Sequence, residues 1–188
     1  MLVTYTNRKG EIHYLKAVLT SKGATRYYIV KNRKKVKREE LETEIPEEFE
    51  FYEFPEDGKV SFRKKQSSIF ENEEKKRVKK VLKQQTHIED FIIDLEKDAI
   101  MIYIAHLKES EFGFDLGHFK KIQSYNPKLR IVKEKENYQM QRFCNLWKHY
   151  GWITMETSSD LKKLCEKYCP HIGKESLLEF WIEGEKDW

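Results

Sequence analysis

The sequence predicts an α+β fold, on three observations. The first 66 residues alternate short β-type runs with turn clusters, the middle carries one helix pattern, and the C-terminal third carries helical spacing after a second group of strands. Each element follows from local chemistry. Leu2 to Thr6 is a short β run closed by Asn7-Arg8-Lys9-Gly10, a turn whose glycine suits a positive φ. Glu11 to Leu19 is a second run, ended by Ser21-Lys22-Gly23. Thr25 to Lys31 is a third, rich in the aromatic and β-branched residues that fit a pleated surface. Phe49 to Phe54 alternates strictly, with Phe49 and Phe51 on one side and Glu50 and Tyr52 on the other. Pro55-Glu56-Asp57-Gly58 signals a hairpin, and on the return Val60 and Phe62 point inward. Together these runs predict a five-stranded antiparallel N-terminal meander.

Ser68-Ile69-Phe70-Glu71 has the form of a capping box and opens a helix expected to reach about Gln85. Its apolar stripe (Phe70, Val78, Val81, Leu82) is thin, which predicts a surface helix connecting two halves. Glu71, Glu73 and Glu74 near its start and Lys79, Lys80 and Lys83 near its end match the helix dipole. A second sheet follows. Ile88–Leu95 and Ala99–Ala105 flank the turn Glu96-Lys97-Asp98, and the nearly all-apolar second run reads as a strand buried on both faces. Further strands are expected at Leu129–Val132 and within Tyr138–Trp147. Two C-terminal helices close the chain. Ser158 or Ser159 caps the first, whose Leu161, Leu164, Cys165 and Tyr168 share one face, and Gly173 ends it. Leu177, Leu178 and Trp181 face the core from the second. The expected organisation is a basic β-meander over 1–66, a connecting helix over 67–86 and an α+β part over 87–188.

Composition bounds the function. Of 188 residues, 36% are charged against about 25% in ordinary globular proteins, yet 11 Phe, 10 Tyr and 4 Trp suffice to build a core. No apolar run approaches the roughly 18 residues of a membrane span, so no membrane contact is expected. The start MLVTYTNRKG lacks an export signal's apolar stretch, and three cysteines read as reduced thiols, which together predict a cytoplasmic location. The net charge of +4 is the remainder of opposing blocks: +8 over 1–40, −7 over 41–74, +6 over 75–83, −6 over 84–119, +6 over 120–150 and −3 over 151–188. Blocks of this size pair within a fold or with a partner.

Several constellations in the sequence invite reading as sites. Cys165, Cys169 and His171, with Cys144 and His149, invite zinc, but structural zinc sites place paired cysteines two to four residues apart on a turn. Cys165 also belongs to the apolar stripe, so the three thiols are expected in the core. His106, Asp115 and His118, joined by Asp90 and Asp94, could form a hydrolytic metal centre, although their spacing is not diagnostic. Pro46-Glu47 with Asp57-Gly58-Lys59 echoes an acidic–lysine nuclease pattern, but its last three residues fall on a hairpin tip rather than a strand. Gly173-Lys174 is followed by Glu175 where a phosphate loop needs Ser or Thr. No cofactor is expected, and the balance leans away from an enzyme. The remaining candidate is nucleic acid, single strands above all, bound by Arg26, Tyr28, Arg33, Lys34, Lys35, Lys37 and Arg38, because cations beside an exposed aromatic suit phosphates and unstacked bases. A protein partner docking on the charge blocks is the alternative.

The strings Tyr5-Thr6-Asn7-Arg8-Lys9-Gly10, Tyr14-Leu15, Thr20-Ser21-Lys22-Gly23 and Arg26-Tyr27-Tyr28, then Glu44-Ile45-Pro46-Glu47 with Glu50, Tyr52-Glu53 and Pro55, and Gly173-Lys174-Glu175-Ser176 carry a resemblance. With them the chain resembles a family of small, uncharacterised bacterial cytoplasmic proteins. The resemblance implies one evolutionary unit in a bacterial cytosol and supplies no activity, cofactor or catalytic residue. The three cysteines are not part of the shared pattern.

Overall fold

A computed structural model describes residues 2–31, 33–111, 116–146 and 149–180, with the backbone alone at Lys35, Glu111, Leu116, Asn145, Leu146, His149 and Tyr150. The architecture is α+β. The chain divides into two compact units, Met1–Lys65 with Phe112–Ser124, and Gln66–Glu111 with Tyr125–Trp188. The helix expected to stand between two halves therefore groups with the second unit, and the segment around 112–124 groups with the first.

In the first unit, β1 (Thr4–Thr6), β2 (Ile12–Leu19) and β3 (Thr25–Val30) form a three-stranded antiparallel sheet in that order. β4 (Phe49–Glu53) and β5 (Val60–Lys64) form a separate hairpin. The expected five-stranded meander is thus two sheets, joined by side chains instead of a continuous ladder. Tyr27 meets Phe49 and Phe62, and Tyr5 stacks on Phe51, each at 5.3 Å between ring centres. Phe62 also meets Phe49 and Phe51. Aromatic pairs at this separation add stabilisation beyond the area they bury.

A polar clamp locks the same two sheets. Arg8 donates to Glu53 Oε1 at 2.8 Å and to the carbonyls of Phe54 and Pro55, while its amide and the Tyr5 hydroxyl also donate to Glu53. Asn7, buried, donates to the Gly58 carbonyl at 2.8 Å. Gly58 has φ +73°, and an added Cβ there would lie 3.3 Å from Lys9 Cε, so the tip needs glycine. Gly10 likewise adopts φ +79°, as its turn requires.

In the second unit, β6 (Phe91–Leu95), β7 (Ala99–Ala105), β8 (Tyr125–Glu134), β9 (Asn137–Leu146) and β10 (His149–Ser158) form an antiparallel sheet ordered β10-β9-β8-β7-β6. β7 is buried on both faces as its apolar run predicts. Ile100 and Ile102 enter the main core, whereas Met101 and Tyr103 join Tyr125 on the other face. β8 is longer than expected and β10 was not anticipated. The main core packs this sheet against α1 (Asn72–Lys83) and α3 (Leu161–Tyr168) through Val78, Val81, Leu82, Leu161, Leu164, Cys165 and Tyr168. α1 is a core helix, then, with its thin stripe wholly buried.

α1 begins three residues later than its Ser68 signal suggests. Ser68 Oγ accepts from the Phe70 amide in a local turn, while Glu71 becomes the cap and its amide donates to Glu74 at 2.6 Å. The second carboxylate wins because it is also anchored: Glu74, buried, accepts from Lys133 Nζ at 2.9 Å and from the Tyr138 hydroxyl. Burial alone pushes the Glu74 carboxyl up, but these bonds and the Glu71 amide outweigh it, and the group titrates below its ordinary range. α3 is capped by Asp160, which accepts from the Lys163 amide at 3.0 Å, rather than by either serine. The last expected helix is a short 3-10 stretch, Glu175–Glu179, with Leu177 buried and Leu178 61% exposed. Trp181 lies outside the described residues. A short helix not anticipated from sequence, α2 (Leu116–Ile122), falls in the first unit. Among the described residues no helix is long and apolar enough to cross a membrane.

Candidate nucleic-acid interface

The geometry of the N-terminal sheet follows from strand alternation. On β3, Tyr27 faces the β4–β5 hairpin, so Tyr28 and Arg26 face the other way. The register sets Lys16 directly opposite Tyr28 and Val18 opposite Arg26, and Tyr14 lies two residues from Lys16 on the same side. Tyr28 is 46% exposed and Arg26 is exposed. This side therefore holds two tyrosines, a lysine and an arginine, while the opposite side carries the ring cluster. Lys16 and Tyr14 were not singled out from sequence. Only the cross-strand register reveals them.

The basic segment continues from β3. Arg33–Lys35 and Arg38–Glu40 are single 3-10 turns, and Lys37 caps the second. Buried Leu41 anchors the segment, bridging to Lys16, and the Glu42 amide donates to the Leu15 carbonyl at 2.9 Å. With its end pinned, the segment leaves Arg33, Lys34, Lys37 and Arg38 exposed. The Lys35 side chain lies outside the described residues.

Acidic neighbours decide whether such a patch is neutralised. Among the described residues, the first unit's ion pairs include Arg8–Glu53, Lys16–Glu40, Lys31–Glu11, Lys59–Asp57 and Arg63–Glu50. Among the described residues, none of Arg26, Arg33, Lys37 and Arg38 takes part in an ion pair. The acidic block after residue 40 spends Glu50, Glu53 and Asp57 on other cations. Two acids follow the patch, Glu39 and Glu40, and Glu40 accepts from Lys16 Nζ at 3.1 Å and from the Lys37 amide at 3.3 Å. The Lys16 hydrogen bond foremost holds its carboxyl below the usual range.

The other constellations separate. Cys165 and Cys169 lie buried together in the core, and the hydrogen bond of the neutral Cys169 thiol with Cys165, with burial, pushes that thiol far up, away from the thiolate a metal needs. His171 instead bonds Ser176 Oγ at 2.8 Å and packs edge-on against Phe180. Cys144 is buried, and the His149 side chain lies outside the described residues. His106 bonds Asn126 at 3.3 Å, Asp90 accepts from the Tyr125 hydroxyl, and Asp115 lies outside the described residues. His106 belongs to the second unit and His118 to the first. Among the described residues, no three His, Cys, Asp or Glu side chains converge as metal ligands. Asp57-Gly58-Lys59 is a turn in which Asp57 pairs with Lys59 and Gly58 serves the Asn7 clamp.

No family model, curated protein or solved structure matches the chain.

Proposed function

We propose that the protein is a noncatalytic binding module that contacts nucleic acid, single strands in preference, through the outer side of its N-terminal sheet. The observation that carries this reading is the segregation of Tyr28 from Tyr27: one ring is exposed between Arg26 and Lys16, the other is spent on packing. A base stacks on Tyr28 for about 1–3 kcal/mol, and Arg26, Arg33, Lys34, Lys35, Lys37 and Arg38 meet consecutive phosphates. Glu40, held by Lys16, keeps that lysine short of the strand until phosphate competes for it. The resemblance to a bacterial family supports a cytoplasmic setting for such a module.

The test is a gel shift and anisotropy titration with single-stranded DNA and RNA. Six phosphate contacts give a log–log salt slope near −4 for single strands. Replacing Lys34, Lys35 and Lys37 with Ala flattens it by about 2. No binding to any single strand at low salt contradicts the reading and leaves a protein partner for the charge blocks.

A further inference from the structure

The cationic run of α1 is left unused by the N-terminal sheet. Residues 75–83 hold six Lys/Arg and no acid. α1 buries Glu74, Val78, Val81 and Leu82, so the helical period sets Lys76, Lys80 and Lys83, at i, i+4 and i+7, in a row along the opposite side. Lys76, Arg77, Lys79, Lys80 and Lys83 are all exposed. Lys76 pairs with Glu73 at 2.6 Å. Among the described residues, Arg77, Lys79, Lys80 and Lys83 make no ion pair. The helix dipole accounts for Lys80 and Lys83 in the last turn but not for Arg77 a turn earlier. The spacing also works against the isolated helix, since Lys76–Lys80 and Lys79–Lys83 are like-charge pairs at i, i+4, the positions where surface helices gain from Glu–Lys pairs.

We propose that this side of α1 docks on the phosphate backbone of a nucleic-acid duplex. Charge complementarity selects that occupant. The row from Lys76 to Lys83 runs about 10 Å, and a duplex presents one negative charge per roughly 1.7 Å of axis, an unbroken field that matches an unbroken row. α1 exposes no apolar residue, because its stripe is spent on the core, so it has nothing to insert into a bilayer as amphipathic membrane helices do. It exposes no aromatic ring either, which excludes base stacking and makes the contact one of backbone charge. Lysines serve here as point charges on flexible stems, suited to following phosphates without reading sequence. The surface belongs to the second unit and does not depend on the sheet interface proposed above.

The experiment is anisotropy of a labelled duplex, titrated with the full chain between about 50 and 200 mM salt, the range over which phosphate contacts declare themselves. Three proteins are compared: the natural chain, Lys79→Ala/Lys80→Ala/Lys83→Ala, and the charge-keeping Lys79→Arg/Lys80→Arg/Lys83→Arg. Circular dichroism confirms that each is folded. The alanine variant is expected to bind the duplex about 100-fold more weakly at 0.1 M salt, with a slope flattened by about 2.7, while the arginine variant binds like the natural chain. Single-strand binding through the sheet stays unchanged in both. Single-strand binding that is unchanged in the sheet variants sinks the sheet reading and leaves this one standing. An unchanged duplex slope in the folded alanine variant overturns the proposal. So does tighter α1-dependent binding to phosphatidylserine vesicles than to the duplex.

Discussion

The two units solve the same problem, a sheet rich in charge, in opposite ways. The second unit covers its sheet with α1 and α3 over a continuous apolar core, and even strand β7 is buried on both faces. The first unit has few fully buried residues. Among its described residues, Leu15, Leu41 and Phe119 are the buried hydrophobics, and its two sheets are joined by five aromatic rings and the Asn7–Arg8–Glu53 clamp. A clamp of directional bonds can hold one side of a small sheet without enclosing the other. That leaves Tyr28 and Arg26 exposed, where an apolar core would have absorbed them. The second unit presents a run of exposed cations on α1 instead, on the side turned away from its core.

This contrast can be broken from the second unit first. Glu74→Ala strands Lys133 beside a buried gap and removes the acceptor of the Glu71 cap's amide, and it should cost about 3–5 kcal/mol in denaturant unfolding. The pH dependence has a defined sign. The folded carboxyl titrates below the unfolded value of about 4.3, so its contribution is present above that pH and is lost as pH falls through the folded value. Acid titration of stability should therefore be steeper in the natural chain than in Glu74→Gln, and parallel curves would remove Glu74 from the account. Leu164→Ala, at a site with no exposure, should cost about 2–5 kcal/mol.

In the first unit the comparison predicts a polar weak point. Glu53→Ala removes the acceptor of Arg8 and Tyr5 and should cost about 1.5–3 kcal/mol, comparable to a core truncation elsewhere. Hydrogen exchange in β1 and β4 would report it. If exchange there is unchanged, the rings alone hold the sheets together.

Much of this was legible in sequence, for identifiable reasons. β7 announced itself through seven apolar residues, and the β4–β5 hairpin through strict alternation around Pro55–Gly58. The α3 stripe followed from i, i+3, i+4 and i+7 spacing, and all four of its residues are buried. Other features depended on what lay across the fold. α1 starts at Glu71 because Lys133 and Tyr138, about sixty residues away in sequence, anchor Glu74. β10 was missed because Gly151 interrupts its pattern and its strand-forming residues, Trp152 to Met155, lead straight into the helix cap. Splitting of the meander into two sheets was invisible because ladder pairing and ring packing leave the same alternation. At the candidate interface, alternation allowed only one of Tyr27 and Tyr28 to face outward, but not Lys16 beside Tyr28, which needs the register.

The most direct test uses that adjacent pair. Tyr27→Ala and Tyr28→Ala differ by one position and, on this account, by everything else. Tyr28→Ala should leave stability within about 0.5 kcal/mol of the natural chain and weaken single-strand binding by about 1–3 kcal/mol. Tyr27→Ala should open the ring cluster and lower stability by about 2–3 kcal/mol, with binding of the remaining folded protein little changed. Measured side by side, by thermal unfolding and by anisotropy with an oligothymidine, that crossed pattern is the predicted result. Equal affinity of Tyr28→Ala and the natural chain for the single strand would contradict it.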